Sequence, residues 1–215
     1  VSFAESSFLT SKAYSTFEFN PDNGFSNIEW LNFYISDQII LNPVLIFDHD
    51  FGGGTNSYSV ILVDKIIGEG DQVVMVRFKN SVWFVEWYKA SDAMVFATDN
   101  ITDLFQAISK ANPSKIVINS LYGYFDVDKV IVEIIKLRRL YSIQLEIKAH
   151  DFYALCPSPH LLNFNNEYCA VPLDISICDK CLKKNVAWHI PGCWPENISK
   201  WRSSFSELLI EATKL

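Results

Sequence analysis

The chain has 215 residues, which is enough for one α/β domain with a buried core or for two small domains. Its hydrophobic fraction of 49% and charged fraction of 20% are ordinary for a globular protein and argue against a disordered one. The formal net charge of −7 argues against broad nucleic-acid binding, because contacts to the phosphate backbone need clustered Lys and Arg.

Membrane and export signals are not apparent in the sequence. No apolar run approaches the ~20 residues that a membrane-spanning helix needs. The first residues have neither the basic start nor the long apolar stretch of a signal peptide. We therefore expect a cytoplasmic protein.

The first 40 residues give little information about their structure. A turn signal lies at Pro21-Asp22-Asn23-Gly24, and a strand within 27–35 is one interpretation. We treat residues 1–40 as an N-terminal extension of uncertain structure and residues 41–215 as the main domain.

From residue 44 onward, predicted strands and helices alternate. Val44–Phe47 is a short apolar run, typical of a strand that is buried on both faces of a parallel sheet. Gly52-Gly53-Gly54 follows, and residues 56–67 then form a helical stripe that ends at Gly68. The apolar residues of that stripe are Tyr58, Ile61, Leu62, Ile66 and Ile67.

The alternation continues to the end of the chain. Further strands are predicted at 73–78, 81–88, 93–97, 115–120 and 143–149, the second and third of which form a hairpin. Further helices are predicted at 101–111, after the cap Asp126, and after the cap Ser199. The last helix carries on one face Trp201, Phe205, Leu208, Leu209 and Ala212. The sequence therefore predicts an α/β fold, with a Rossmann-like, mostly parallel sheet, helices on both faces and a long Cys-rich loop.

Ligands of such sheets bind beyond the carboxyl ends of the strands. The loops expected there are 48–55, 119–123 and the one that begins at His150. Three successive glycines let the first loop turn sharply and approach a ligand, and the N–H groups of the next helix favour an anion such as a diphosphate. The predicted ligand-binding residues of this loop are Gly52, Gly53, Gly54, Thr55 and Asn56.

The glycine loop matches neither of two common phosphate-binding motifs. It is not a P-loop, because no Gly-Lys-Ser/Thr follows it. It is not the dinucleotide G-x-G-x-x-G, because Ser57 occupies the sixth position. A tight turn without a ligand is the alternative.

His150 and Asp151 follow the strand predicted at 143–149 and are the candidate catalytic residues. A neutral His can hydrogen-bond a sugar hydroxyl or move a proton near pH 7. Asp151 would orient that His or contact a hydroxyl itself. The alternative is a His and an Asp that only organise a loop.

The cysteines are confined to the last third of the chain. Cys178 and Cys181 have the Cys-x-x-Cys spacing typical of structural zinc, and Cys156 and Cys169 would complete a tetrahedral set. Such a site would hold together the long loop at roughly 150–198.

Other interpretations of these thiols stay open. The alternatives are free, buried thiols, disulfide pairs, and a use in redox chemistry. Cys193 or His189 would also be suitable as a zinc ligand in place of one of the four.

Two stretches resemble bacterial retaining glycosyltransferases built from two facing Rossmann domains, the GT-B fold. Residues 44–58 resemble the first strand and glycine loop of these enzymes. A later pattern is similar to one in a subset of them, in which a Trp-Arg pair opens a helix just before the first domain ends. In this chain that pattern comprises residues 150–157, Leu161-Leu162, Tyr168-Cys169, Pro172, Cys178, Cys181 and Trp201-Arg202. The resemblance covers roughly residues 40–215.

The resemblance implies a function and a site. The glycine loop would lie beside the acceptor and the diphosphate of a nucleotide-diphosphate sugar, and His150 would line the cleft near the transferred sugar. The acceptor would be a glycan or a lipid-linked glycan of surface-polysaccharide synthesis, which leaves room for a peripheral contact at the inner face of the membrane. No catalytic metal is implied, so any zinc would be structural.

One feature of these enzymes is missing from the chain. Their donor nucleotide is held mainly by a C-terminal Rossmann domain with two glutamates eight positions apart, and no two glutamates here have that separation. We expect that domain, the natural partner of this one, to be absent from the chain, which would then be inactive alone. The alternative is a non-catalytic α/β binding module with a structural zinc knuckle.

Overall fold

The structure is a computed structural model that describes residues 31–32, 35–36, 42–90, 92–185, 195 and 197–214. The described strands are β1 (Val44–Phe47), β2 (Val73–Lys79), β3 (Val82–Lys89), β4 (Asp92–Thr98), β5 (Lys115–Ile118) and β6 (Gln144–Ile147). The helices with described ends are α1 (Gly53–Gly68), α2 (Ile101–Lys110), α3 (Val127–Tyr141), α4 (Ile175–Leu182) and α5 (Ile198–Glu211).

The strands form one six-stranded sheet in the order β4-β3-β2-β1-β5-β6. The four strands β2, β1, β5 and β6 run parallel, whereas β3 and β4 extend the sheet as antiparallel neighbours of β2. All four residues of β1 are buried, as expected for a central strand that is covered on both faces. The α/β fold with a mostly parallel sheet is confirmed, and so is the predicted hairpin.

The direction of chain winding changes at β1. The chain passes from β1 to β2 on one side and later returns to place β5 on the other side of β1. Helix α1 packs on one face through Val63 and Ile66, and α2, α3 and α5 cover the opposite face. The carboxyl ends of β1 and β5 therefore flank a topological switch point, where open α/β sheets place their ligands.

Two predicted helix details need correction. In the predicted stripe of helix α1, Ile66 is buried and Leu62 and Ile67 pack partly buried on the core, but Ile61 is 67% exposed. Ser59 and Val63 are buried in addition. Helix α5 begins at Ile198, because the side chain of Asn197, not that of Ser199, accepts a hydrogen bond from a backbone N–H of its first turn.

The described part of the N-terminal extension is helical at 31–32 and 35–36. Leu31 and Ile35 lie four positions apart, which places them on one helical face, and both are buried in the core. The strand interpretation was wrong at these positions, and the rest of 27–34 lies outside the described residues.

The Cys-rich region follows β6. Residues 148–174 contain no helix or extended strand pairing, apart from an isolated bridge between Leu162 and Tyr168. The short helix α4 carries Cys178 and Cys181, in a stretch where little regular structure was expected. Among the described residues, no helix is long and apolar enough to cross a lipid bilayer.

Candidate functional site

Two polar residues lie side by side at the switch point because of the strand register. Ile46 and Val117 are paired across β1 and β5, and both pack on the side of α1. Side chains alternate between the two faces of a strand, so Asp48 and Asn119, two residues further on, return to that same face. The backbone N–H of Asn119 donates to the carbonyl of Phe47 at 2.9 Å, which keeps the two chains together beyond their strands.

Asp48 is a fully buried carboxyl group with a partner for each oxygen. Its Oδ2 accepts a hydrogen bond from the hydroxyl of Ser59 on α1, and its Oδ1 accepts one from Nδ2 of Asn119 at 3.1 Å. Burial raises the pKa of Asp48, because removal from water disfavours the charged form. The hydrogen bonds offset the cost of burying this group and join β1, α1 and the loop after β5.

Tyr124 fixes the backbone at the point where the chain leaves β1. Its hydroxyl accepts a hydrogen bond from the backbone N–H of Asp48 at 3.0 Å and lies 2.8 Å from the backbone carbonyl oxygen of Asp48. It also donates toward the carbonyl of Val76. Burial raises the pKa of Tyr124 well above its ordinary value, so the phenol stays neutral and keeps its proton for these contacts.

His49 is a second buried titratable group in the same loop. Its Nδ1 accepts a hydrogen bond from the N–H of Phe51 at 3.2 Å, and its carbonyl accepts one from Nδ2 of Asn56, also at 3.2 Å. Burial lowers the pKa of His49, so the neutral imidazole is favoured. The buried His49 therefore holds the backbone of the glycine loop through these two hydrogen bonds and does not face a ligand.

His150 is connected directly to this network. Its Nε2 lies 2.7 Å from Oδ1 of Asn119, and its ring meets the ring of Tyr58 on α1 edge to face, with centroids 5.2 Å apart. Asn119 also donates to the carbonyl of Thr55 at 3.1 Å. One amide side chain thus joins the start of α1 to His150, and the glycine loop and the exposed imidazole share one edge of the sheet.

Asp151 has a different contact from the one expected. Its Oδ1 accepts a hydrogen bond from the N–H of Tyr153 at 2.8 Å, which closes a local turn. Within the described residues, the hydrogen bond found for the His150 ring is to Asn119. Orientation of His150 is therefore a task of Asn119, and Asp151 organises the loop.

The glycine loop leaves the start of α1 open. Gly52 and Gly53 have φ angles of 77° and 83°, which favour glycine, and a Cβ atom added at Gly52, Gly53 or Gly54 would meet nothing within 4 Å. Helix α1 has no side-chain cap and no acidic residue in its first turn. The first N–H groups of a helix lack partners within the helix, so they are available here to an anion.

The other four helices differ from α1 in this respect. Each has an Asn or Asp side chain that accepts a hydrogen bond from a first-turn N–H. The capping residues are Asn100, Asp126, Asp174 and Asn197.

Thr55 and Asn56 act partly through structural contacts. The carbonyl of Thr55 accepts the Asn119 hydrogen bond, and Nδ2 of Asn56 binds the carbonyl of His49. The other amide atom of Asn56, Oδ1, is buried and has no hydrogen-bond partner among the described residues. Asn56 therefore still has one acceptor available beside the glycine loop.

A small cavity of about 160 Å³ opens on the opposite face, beyond β5 and β6. Asn119 and Asp151 lie at it, and Phe205, Leu208 and Leu209 of α5 give it an apolar wall. Ligand pockets usually measure roughly 300 Å³ or more, so this cavity holds at most part of a ligand.

The structure describes Cys156, Cys169, Cys178 and Cys181 as free, half-buried thiols. Burial raises the pKa of Cys156 to about 11, and the other three thiols are near enough to contribute to that increase. A raised pKa lowers the thiolate fraction and disfavours a redox role.

Metal binding needs a closer arrangement than these thiols have. Among the described residues, no group of three or more His, Cys, Asp or Glu side chains is arranged to hold a metal ion. Cys193 and His189 lie outside the described residues. The four thiols form a neighbourhood of suitable donors, and a zinc ion would have to draw them together.

Three side chains at the centre of the site had no assigned role in the sequence analysis. Asp48 and Asn119 were placed in the correct loops, and Ser59 lay on the predicted helix. The available signal was the alternation of faces, which carries Asp48 and Asn119 to the side of α1.

The buried state of His49 gives a pH-dependent stability that can be measured. An unfolded His takes up a proton near pH 6.5, whereas the lowered pKa keeps His49 neutral in the folded chain below that pH. The stability from neutral His49 is therefore complete above pH 6.5 and decreases as the pH falls through the folded pKa. We expect His49→Gln to remove a slope of up to about 1.4 kcal/mol per pH unit from urea-unfolding free energies below pH 6.5.

Wild type and His49→Gln share every other titratable group, including Asp48, so a difference between their slopes reports on His49 and its interaction with Asp48. Equal slopes for wild type and His49→Gln would show that His49 does not titrate differently on folding.

Comparison with known proteins gives no family for this chain. No protein-family profile matches it, no curated protein matches it, and no solved structure matches it. The geometry of the site is therefore the basis for any functional conclusion.

Proposed function

We propose that this chain is the acceptor-side half of a glycosyltransferase. It would work with a donor-binding domain to transfer a sugar from a nucleotide-diphosphate sugar to a glycan or lipid-linked acceptor of surface-polysaccharide synthesis. The reaction would take place in the cytoplasm, at the inner face of the membrane, where a lipid-linked acceptor is accessible.

One observation carries the proposal: Asn119 contacts both the uncapped start of α1 and His150. An uncapped helix start, which is suited to an anion, and an exposed imidazole therefore lie at one switch point of a doubly wound sheet. A nucleotide sugar offers the two chemistries that such a site accommodates, which are a diphosphate and sugar hydroxyls.

The two parts of the site would act at different stages of the transfer. Backbone N–H groups at Gly53 and Gly54 would stabilise the charge that develops on the departing diphosphate. His150 would bind near the reacting carbon of the sugar. The cavity beyond β5 and β6 is too small for a whole substrate, which is consistent with a cleft completed by a second domain.

A charge placed at the start of α1 tests the diphosphate site. Gly54 has no positive φ angle, and a side chain there meets open space, so Gly54→Asp should fold normally. An acidic residue at a helix start stabilises the helix by about 0.3–1 kcal/mol, and it would also repel a diphosphate. We expect Gly54→Asp to raise the free energy of unfolding and to weaken UDP or GDP binding at least about tenfold, as measured by NMR titration.

Two alanine variants serve as controls for Gly54→Asp. Gly54→Ala adds a side chain without charge, and Gly68→Ala alters the other end of the same helix, also in open space. Both should bind the nucleoside diphosphates within a few-fold of wild type. Unchanged nucleoside diphosphate binding by Gly54→Asp would show that the diphosphate does not bind at the start of α1.

Sugar transfer itself is tested at His150. In the protein completed by a donor-binding domain, we expect His150→Ala to abolish release of nucleoside diphosphate from nucleotide sugars and to leave the fold intact, as judged by circular dichroism. His150 is exposed, so its removal costs little stability. Wild-type turnover by the variant would contradict the role, and absence of turnover in the completed wild type would favour a non-catalytic binding module.

We also propose a structural zinc ion at Cys156, Cys169, Cys178 and Cys181. Support comes from the donor chemistry and from the mutual proximity of the four thiols, and the ion would have to bring them closer together. The surrounding loop has little regular backbone hydrogen bonding, so a metal would add to its stability.

Metal analysis of the reduced, purified chain tests the zinc proposal. We expect one zinc per chain in wild type and a large loss in Cys181→Ser. Cys193→Ser, which leaves the four proposed ligands intact, should keep its zinc. Zinc well below one equivalent in the wild-type chain would contradict the proposal.

A further inference from the structure

The orientation of the Asn119 amide follows from the carbonyl of Thr55. The Asn119 atom 3.1 Å from that carbonyl must be a donor, because a backbone carbonyl can only accept. The donor atom of the amide is Nδ2, which also lies 3.1 Å from Oδ1 of Asp48 and 2.7 Å from Oγ of Ser59. This assignment does not depend on the protonation of Asp48, since the Thr55 carbonyl does not titrate.

Because Nδ2 is directed at Thr55, Asp48 and Ser59, Oδ1 of Asn119 is the atom that faces His150. An amide oxygen can only accept, so the Nε2 atom 2.7 Å away must carry a proton. A neutral imidazole has one protonated nitrogen, and its Nδ1 then presents a lone pair. Contact with the ring of Tyr58 further restricts rotation of the imidazole.

Nδ1 of His150 is therefore the ring atom that is available to a ligand. Within the part of the chain that the structure describes, no hydrogen bond to Nδ1 is found, and His150 is exposed. A lone pair at this position attracts a hydrogen-bond donor and repels the oxygens of a phosphate.

We propose that Asn119 is a positioning residue that locks His150 in the Nε2–H form, so that Nδ1 accepts a hydrogen bond from a sugar hydroxyl. This inference rests on the proposed function for the identity of the ligand, whereas the tautomer is a property of the free chain. It divides the site by chemistry: the N–H groups of α1 take the diphosphate, and His150 takes a hydroxyl.

The tautomer is measured on the wild-type chain labelled with nitrogen-15 histidine. Long-range proton–nitrogen NMR spectra at a pH where the imidazole is neutral distinguish the two ring nitrogens, and the His150 signals are assigned by their loss in His150→Gln. We expect His150 to show one tautomer, protonated at Nε2, whose proton exchanges slowly with water. Free histidine in the same buffer is the comparison for an imidazole whose two tautomers average.

Asn119→Ser tests the cause of the lock. A serine side chain is too short to reach His150, so the His150 nitrogens should average and the Nε2 proton should exchange rapidly. Protonation of His150 at Nδ1 in wild type, or averaging of its two tautomers like that of free histidine, would overturn the proposal without any variant. A fixed Nε2–H form that persists in folded Asn119→Ser would overturn the role of Asn119.

The hydroxyl contact is tested by two replacements that imitate different atoms of the ring. An Asn side chain reaches the position of Nδ1, whereas a Gln side chain reaches that of Nε2 and can still bind Asn119. In the protein completed by a donor-binding domain, His150→Asn should release nucleoside diphosphate about tenfold faster than His150→Gln, the value of one hydrogen bond of about 1.4 kcal/mol. A faster His150→Gln would assign the function to Nε2 and overturn the proposal.

The two experiments fail in distinguishable ways. A locked Nε2–H tautomer in a protein that does not transfer sugar would support the positioning role of Asn119 and contradict the proposed glycosyltransferase activity. Sugar transfer by a protein in which the two tautomers of His150 average would support the proposed function and contradict the positioning role of Asn119.

Discussion

The site depends on how the chain accommodates the carboxyl group of Asp48 at the end of a fully buried strand. Asp48 is 0% exposed, and a buried carboxyl group without partners would cost several kcal/mol. Ser59 and Asn119 supply the two hydrogen bonds it needs, from a helix on one side and a loop on the other. Because these partners come from separate segments, satisfying one buried group also fixes the relative positions of β1, α1 and the loop after β5.

The same constraint extends outward to the exposed groups. Asn119 uses its nitrogen on Asp48, Ser59 and the Thr55 carbonyl, and so its oxygen must face His150. The open helix start and the imidazole are thereby held in one arrangement by a network that does not contact solvent. A preformed arrangement of this kind avoids the cost of ordering the site when a ligand binds.

The fold could be predicted from local patterns, since a buried parallel strand has a continuous apolar run and an amphipathic helix has a stripe. Val44–Phe47 and the hairpin of β3 and β4 were predicted in this way. The buried face of α1 was predicted only in part, because Ser59 is buried where it donates a hydrogen bond to Asp48, and hydrophobic periodicity does not reveal such a contact. The start of α5 depended on which of two nearby polar side chains reached an N–H group, and sequence alone does not decide this.

Prediction of the site was limited by the same physics. Residues after parallel strands were correctly expected to meet at one edge, which brought the glycine loop and His150 together. Asp151 was expected to orient its neighbour His150 or to contact a hydroxyl itself, but one of its oxygens is used in a local turn. Asn119 takes its place through a contact between loops far apart in the chain, which depends on sheet order and register rather than on sequence proximity.

Two side chains of α5 form hydrogen bonds with the Cys-rich loop. The indole nitrogen of Trp201 donates to the carbonyl of Tyr153 at 2.8 Å, and Arg202 donates to the carbonyl of Leu155 at 2.9 Å. These two bonds attach the loop to α5 near its start. Both side chains bind backbone carbonyls of a segment that forms neither strand nor helix.

A crystal structure of the protein completed by a donor-binding domain, with bound UDP-glucose, tests the central claim most directly. We expect phosphate oxygens about 2.7–3.2 Å from the nitrogens of Gly53 and Gly54 and a ligand hydroxyl at the same range from Nδ1 of His150. A diphosphate bound elsewhere on the molecule, with the start of α1 and the His150 ring left in water, would contradict it.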